Sequence, residues 1–207
     1  LIPVIAGRIV IAGAEVRKPH PKVGVVFQTD LLLYWRTIRE NILLPIEIKG
    51  WRKREYLPRI DELLAQVGLE GFGGKYPSEL SGGMRQRAAI CRALVQEPGL
   101  LLMAEPFGAL DALTREQMIS DLQAMWSTVG NTVLFITHSI EEALLLGTRV
   151  VVLSPNPGRL TAEIEAGFNT EILNGASAAD VKASPIFKRM HAGLTGLIHA
   201  GEEELAA

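Results

Sequence analysis

Apolar residues along the chain fall into short runs and into helically spaced series, which indicates strands that alternate with helices. Short apolar runs at 23–27, 100–103, 132–136 and 150–153 have the length of buried strands. Apolar positions recur at helical spacing in four other stretches. These positions are Leu57, Ile60, Leu64 and Val67; Met84, Ala88, Cys91 and Val95; Met118, Leu122, Met125 and Val129; and Phe187, Met190, Leu194 and Leu197. The alternation predicts an α/β fold with a mostly parallel sheet.

The segments outside these runs have weaker patterns. Two short strand-like pieces at 8–11 and 14–16 predict a small hairpin near the start. Residues 38–51 are expected to connect elements, and Asn169–Ala179 has the small-residue composition of a linker.

Composition narrows the class of protein. The 207 residues are 48% hydrophobic and 21% charged, which is typical of a globular domain with a buried core. The net charge of −2 does not suggest a nucleic-acid partner. Cys91 is the single cysteine, so the chain cannot form an internal disulfide, and its place on a helical apolar stripe predicts a core residue. No apolar stretch is long enough to span a bilayer.

The segment Leu80–Arg87 carries the first candidate chemistry. Ser81 precedes two glycines and an apolar helical series, so it is expected to cap the N-terminus of a helix. A helix N-terminus with a serine hydroxyl and uncovered N–H groups can bind an anion. A glycine turn that merely starts a helix is the alternative interpretation.

Polar side chains also follow three of the predicted strands. Gln28 follows the run at 23–27, Glu105 follows the run at 100–103, and His138 follows the run at 132–136. Because ligands bind at the carboxyl ends of parallel strands, we expect these side chains to belong to one composite site.

These segments together resemble the motifs of the ATP-binding cassette (ABC) ATPases. Leu80–Arg87 resembles the LSGGQ-type signature, Gln28 the Q-loop, Leu100–Glu105 the Walker B strand, Asp111 the D-loop and His138 the switch histidine, in the order that the family shows. The resemblance covers about residues 1–155 and is closest to the nitrate/sulfonate/taurine importer branch. It implies an ABC-ATPase fold of the P-loop NTPase type, with a partial nucleotide-binding domain over 1–166, a helical subdomain at about 38–95, and a C-terminal linker and helix over 167–207.

The resemblance also implies the chemistry of the site. ATP and Mg²⁺ would be bound, with Glu105 polarising the attacking water and His138 contacting the γ-phosphate. Gln28 would reach the Mg²⁺ and the water. The residues expected to contact ATP are Gln28, Ser81, Gly82, Gly83, Gln86 and Asp111.

The partners follow from the same resemblance. The family's ATPase subunits close as head-to-tail dimers, so a second copy is expected, and the signature would hold the γ-phosphate of ATP bound to that copy. A separate transmembrane subunit would carry the solute, which implies a place in the cytoplasm on the inner face of the cell membrane. The apolar segment Leu31–Trp35 is expected either to contact that subunit or to pack internally.

Two features depart from the family pattern. The sequence has no G-x-x-x-x-G-K-[S/T] phosphate loop, and the first residues resemble the family segment just after that loop, so we expect the loop to lie upstream of Leu1. Ala104 stands where the Walker B aspartate is expected. The sequence therefore leaves open a module that only supplies the signature to a competent partner, or a non-functional fragment.

Overall fold

The computed structural model describes residues 6–108 and 112–206, and the chain separates into two compact units. The first unit comprises Leu1–Asp121 and Thr128–Ile136, and the second comprises Leu122–Ser127 and Thr137–Ala207. The expected division into domains over 1–166 and 167–207 stays a prediction.

Within the described residues the chain forms seven strands and eight α-helices, numbered here in chain order. The strands are β1 (Val10–Ile11), β2 (Ala14–Glu15), β3 (Val23–Val26), β4 (Leu100–Ala104), β5 (Thr132–Ile136), β6 (Arg149–Leu153) and β7 (Leu160–Glu165). The helices are α1 (Ile38–Ile48), α2 (Lys53–Gln66), α3 (Gly82–Leu94), α4 (Ala112–Val129), α5 (Ile140–Leu146), α6 (Phe168–Leu173), α7 (Ala178–Ala183) and α8 (Pro185–Ala206). The predicted hairpin is confirmed, because β1 and β2 pair antiparallel.

A three-stranded parallel sheet in the order β3–β4–β5 forms the base of the first unit. Near its carboxyl edge, Met103 of β4 pairs with Val26 on one side and Phe135 on the other. One residue further, Ala104 pairs with Ile136. The three strands predicted from the apolar runs are confirmed as strands, and their carboxyl ends lie along one edge of the sheet. The prediction that they are buried is wrong for β5, in which Leu134 and Ile136 are exposed, and Val25 of β3 is exposed as well.

Helix α1 is the main difference from the predicted elements. The prediction that residues 38–51 only connect is wrong, because Ile38–Ile48 is helical. Thr37 Oγ1 accepts a hydrogen bond from the Glu40 N–H, and the Glu40 carboxylate accepts one from the Thr37 N–H, which together close a capping box. The buried face of α1 includes Ile38, Ile42 and Ile46. Helix α1 packs against α2 and α3, so the region predicted to be a helical subdomain contains three mutually packed helices.

The buried side chain of Asn41 on α1 organises the turn before that helix. Its Oδ1 accepts a hydrogen bond from the Leu33 N–H at 2.7 Å. Its Nδ2 donates to the carbonyl oxygens of Leu33, Arg36 and Thr37 at 3.0–3.2 Å. One amide therefore satisfies the Leu33 N–H and the Arg36 carbonyl oxygen. It also gives a second bond to the Leu33 and Thr37 carbonyl oxygens, which accept the Arg36 and Asn41 N–H groups as well.

The second unit combines an antiparallel strand pair with short helices. Strands β6 and β7 pair with each other, and α8 packs against α5 and α7. The segment Asn169–Ala179, which was expected to be a linker, instead contains most of α6 and the start of α7. Phe168 and Phe187 meet edge to face with ring centroids 5.1 Å apart. The core of this unit consists of Leu144, Leu145, Val150, Val152, Ala166, Phe168, Val181, Phe187 and Leu194.

Replacement of Asn41 by alanine is expected to lower the free energy of unfolding of the first unit by about 2–4 kcal/mol, because it leaves the Leu33 amide and the Arg36 carbonyl group without the partner that Asn41 supplies. Urea unfolding followed by tryptophan fluorescence measures this change. Asn174→Ala, at an exposed helix end, is the control and should shift the free energy by less than about 0.5 kcal/mol. Equal effects of the two substitutions would contradict the role given to Asn41.

Cys91 is expected to be unreactive in the folded chain. It is fully buried on α3, as predicted, and burial raises the pKa of its thiol to about 12, so the reactive thiolate is scarce near neutral pH. A disulfide reagent such as Ellman's reagent should label Cys91 at pH 8 only in denaturant. Labelling of the native chain at the rate of the denatured chain would show that the thiol is accessible.

Candidate functional site

Two side chains predicted to act together meet at the carboxyl edge of the parallel sheet. Gln28 lies just beyond β3, and Glu105 directly follows β4. Gln28 Nε2 donates a hydrogen bond to Glu105 Oε2 at 3.1 Å. The Glu105 N–H donates to the Ile136 carbonyl oxygen at 2.8 Å, which ties the start of this turn to the end of β5. The strand order therefore brings together an amide and a carboxylate that are far apart in the sequence.

The backbone of Glu105 has an unusual conformation. Its φ of +44° lies in the left-handed region, which residues other than glycine rarely adopt. The Gly108 N–H donates to the Glu105 carbonyl oxygen at 3.1 Å, which closes a tight turn after the strand. Phe107 fixes that turn because its ring is fully buried and lies 5.6 Å from the ring of Phe135. The half-buried carboxylate is thus held on a constrained turn beside Gln28.

Ala104 ends β4, immediately before Glu105. It pairs with Ile136 of β5, and its methyl group supplies no oxygen to a metal ion. Among the described residues there is no group of three or more histidine, cysteine, aspartate or glutamate side chains that could hold a metal. Gln28 and Glu105 are two described residues that place side-chain oxygen atoms at this edge, and amide and carboxylate oxygens are of the kind that Mg²⁺ prefers.

The N-terminus of α3 has the features of an anion site. Ser81 has extended backbone angles, and its Oγ accepts a hydrogen bond from the Met84 N–H at 3.3 Å, so the predicted N-cap is confirmed. Gly82 is exposed, whereas Gly83 is buried. The first turn of α3 contains no acidic residue. The positive end of the helix dipole is therefore not neutralised by a carboxylate of that turn, and an anion bound there would meet no negative charge from it.

Gln86 points away from that N-terminus, towards the sheet. Its side chain is 4% exposed, and its Nε2 donates to the carbonyl oxygen of Phe27 at 3.2 Å. The structure therefore shows a contact with Phe27, which lies between the end of β3 and Gln28, and a contact of Gln86 with ATP stays a prediction.

The two remaining candidates are His138 and Asp111. His138 is exposed and belongs to the second unit, two residues beyond the end of β5. It is flanked by a cap in which Ser139 Oγ accepts from the Glu142 N–H at 3.3 Å and the Thr137 hydroxyl donates to the Glu142 carboxylate at 2.6 Å. Asp111 lies outside the described residues, so its predicted role at a dimer contact stays a prediction.

Sequence reasoning did not identify the residues that hold the loop after Gln28. Arg85 on α3 pairs with the Asp30 carboxylate at 2.9 Å, and Arg92 donates to two carbonyl oxygens of the same loop. The only indication in the sequence was that the arginines lie off the apolar stripe of α3, and that pattern is also typical of a helix face exposed to solvent.

The described helices include none with the length and apolar character needed to cross a membrane.

Replacement of Ser81 by alanine is expected to lower the free energy of unfolding by about 1 kcal/mol, because the Met84 N–H loses its capping acceptor. Ser78→Ala is the matched control, since Ser78 is exposed and lies in the short turn just before α3. The control should change the free energy by less than about 0.5 kcal/mol in the same urea titration. If both variants behave alike, Ser81 is not the cap of α3.

Comparisons with known proteins match these features. A family model described as "ABC transporter" matches residues 1–108. The taurine import ATP-binding protein TauB of Sinorhizobium fredii is 52% identical over 203 residues, which cover 97% of this chain and 76% of that protein. The protein of the same name from Escherichia coli O157:H7 is 42% identical over 189 residues, which cover 91% of this chain and 74% of that protein.

A solved structure agrees with the fold. It shows a dimeric, post-hydrolysis state of the ATP-binding cassette MJ0796 bound to ADP and Pi. Its similarity to this chain has a TM-score of 0.64 at 30% identity and covers 79% of this chain and 75% of the solved chain. The predicted α/β fold class and the predicted nitrate/sulfonate/taurine branch are confirmed by these similarities. Because the family model covers half of the chain and the relatives match nearly all of it, the chain belongs to the ABC transporter family.

Proposed function

We propose that this chain is the ATP-hydrolysing subunit of an ABC importer for taurine or a closely related sulfonate. The solute is supported by the 52% identity to a taurine import ATP-binding protein over nearly the whole chain. The observation that carries the chemical part of the proposal is the hydrogen bond between Gln28 and Glu105 at the edge of the parallel sheet. A carboxylate that is held in position by such a hydrogen bond can act as the general base for a water molecule.

Glu105 is the residue that would polarise the attacking water. A carboxylate can accept a proton from water while it orients the oxygen towards the phosphorus. Gln28 Nε2 donates a hydrogen bond to Oε2 of the Glu105 carboxylate, which helps to orient that carboxylate at the edge of the sheet. The constrained turn from Glu105 to Gly108 limits the positions that this carboxylate can adopt, which favours catalysis because little reorganisation is needed in the reaction.

Bound Mg²⁺ would neutralise charge on the β- and γ-phosphates of ATP. Gln28 is the residue proposed to hold it through its amide oxygen, because its amide nitrogen is already used by Glu105. One protein oxygen fits this ion, which usually keeps several waters and takes further ligands from the phosphates. Ala104 cannot contribute an oxygen, so the proposed site depends more on Gln28 than a site with a second carboxylate would.

The signature at the start of α3 would bind the γ-phosphate of ATP held by a second copy of the chain. Ser81, Gly82 and Gly83 are the proposed contacts, because the N-terminus of α3 has no acidic residue in its first turn. The similar solved cassette is a dimer bound to ADP and Pi, which supports a pair of subunits, and the pair is proposed to be arranged head to tail. Asp111 is proposed to stabilise that pair, and His138 is proposed to contact the γ-phosphate.

A transmembrane subunit is the second proposed partner, and the chain would lie in the cytoplasm on the inner face of the membrane. The segment after Gln28 supports this assignment because its aromatic residues are not used in the core. Trp35 is 75% exposed and Tyr34 is also exposed, whereas Leu32 is buried beside them. Closure of two subunits around ATP would then move this segment and the membrane subunit together.

Taurine uptake by cells that lack their own taurine import ATP-binding subunit tests the proposal. The full-length protein should restore uptake of labelled taurine, and Glu105→Gln should reduce the restored rate at least about 100-fold because the amide cannot accept the proton. Glu171→Gln, an exposed position on α6, is the matched control and should leave uptake unchanged.

Failure of the full-length protein to restore uptake would contradict the proposed function. Equal uptake with Glu105→Gln and with the wild type would contradict the role of Glu105. Restored uptake of a different solute in place of taurine would keep the ATPase role and overturn the assignment of the substrate.

A further inference from the structure

Three side chains of α3 fasten the loop that carries Gln28. Gln86 Nε2 donates to the Phe27 carbonyl oxygen, on the strand side of Gln28. Arg85 Nε donates to the Asp30 carboxylate at 2.9 Å, on the other side of Gln28. Arg92 Nη2 donates to the Asp30 carbonyl oxygen and Nη1 to the Leu31 carbonyl oxygen, both at 2.7 Å. Gln28 is therefore held from both sides by a single helix.

The two arginines lie on the same side of α3. Positions 85 and 92 are about two helical turns apart, so their side chains leave the helix in nearly the same direction. Arg85 donates through Nη1 to the Leu80 carbonyl oxygen as well, which connects the Asp30 carboxylate to the residue just before the signature serine. The signature and the loop thus share contacts through α3.

Arg92 is the residue that binds the backbone of the loop at two consecutive positions. Its planar guanidinium donates from two nitrogens to two consecutive carbonyl oxygens, a fork geometry that lysine cannot reproduce. Burial lowers the pKa of the Arg92 guanidinium from its ordinary value, and the Asp30 carboxylate opposes that change. The side chain remains charged near neutral pH because arginine titrates far above it.

The loop needs such support because its own backbone is not regular. Leu31 has a φ of +46°, in the left-handed region that a branched residue rarely adopts. The Leu32 N–H is satisfied by the Asp30 side chain at 3.1 Å, and the Leu33 N–H by Asn41. Side chains, and not a strand or helix ladder, therefore fix the path of residues 29–33.

We propose that Arg92 is a positioning residue for ATP hydrolysis, which fastens the loop after Gln28 to the signature helix and so sets Gln28 against Glu105. This inference rests on the proposed function. Its consequence is mechanical: when the N-terminus of α3 binds phosphate, the loop moves with the helix. Gln28 is then placed correctly only when the signature is placed correctly.

A double-mutant cycle in the assembled transporter tests this role. The variants are Arg92→Gln, Gln28→Ala and the double variant, with kcat and KM for ATP measured for each. Arg92→Gln should lower kcat about tenfold with little change in KM, and Arg92→Lys should recover part of that loss. Because Arg92 acts through Gln28, Arg92→Gln should change kcat less than about twofold when Gln28 is already alanine.

Arg87→Gln is the matched control on the same helix. Arg87 is half-buried and contacts Val67 and Asp121 instead of the loop. Its effect on kcat should therefore be the same whether or not Gln28 is present. Hydrogen–deuterium exchange without nucleotide gives a second readout: Arg92→Gln should speed exchange at Leu32 and Leu33 about tenfold and leave α1 unchanged, whereas Arg87→Gln should not alter the loop.

The inference would be overturned if the kcat of the double variant fell by the product of the two single-variant effects. It would also be overturned if hydrogen–deuterium exchange at Leu32 and Leu33 were unchanged in Arg92→Gln. Faster exchange throughout the first unit would also overturn it, because Arg92 would then be a general stabilising residue. If Gln28→Ala alone leaves kcat unchanged, the proposed role of Gln28 in the reaction is contradicted, and the exchange measurement still decides whether Arg92 holds the loop.

Discussion

The attachment of the Gln28 loop to helix α3 is the constraint on which the arrangement of the site depends. Gln86 and Arg92 donate from that helix to backbone carbonyl groups before and after Gln28. Charged donors to carbonyl groups form stronger hydrogen bonds than neutral donors, and partial burial protects them from competition with water. Since Ser81 caps the N-terminus of α3, one helix joins the proposed phosphate-binding end to the loop that lies beside Glu105. The geometry of the site is therefore a property of this helix as much as of the sheet.

The second constraint is the turn after β4, where the residue with the strained backbone, Glu105, is also the proposed catalytic carboxylate. A left-handed backbone at a residue such as Glu105 costs about 1–3 kcal/mol and persists only when surrounding contacts determine it. Here the Ile136 carbonyl accepts the Glu105 N–H, and the buried ring of Phe107 fixes the residues that follow. The same turn places the Glu105 carboxylate within hydrogen-bond distance of Gln28, and the side chain of Ala104 takes no part in that contact. These contacts explain how a precise position of Glu105 can coexist with the loss of the neighbouring carboxylate.

Local patterns predicted the parts of this structure that depend on local physics. The apolar runs located β3, β4 and β5, because runs of four or five apolar, often β-branched residues favour strands, and the Ser81 cap followed from residue type and spacing. The burial of these strands was not predicted correctly, since alternate residues of β5 are exposed. Helix α1 was missed although Thr37 and Glu40 have capping-box spacing, since Pro45 lies inside it and argues against a helix. The contact of Arg92 with Asp30 and Leu31 joins segments about 60 residues apart, and no short-range periodicity contains such information. Strand β6 was found at its predicted place, but its antiparallel partner β7 has a mostly exposed pattern that gave no apolar run.

The most direct measurement is hydrogen–deuterium exchange of the assembled transporter across a titration with Mg-ATP. If α3 carries the signature and the Gln28 loop as one piece, protection should increase at residues 29–33 and at 81–87 with the same midpoint concentration of ATP. Protection that develops at the signature while the loop stays unchanged, or that develops at the two segments with different midpoints, would show that they respond to ATP independently and would contradict the account.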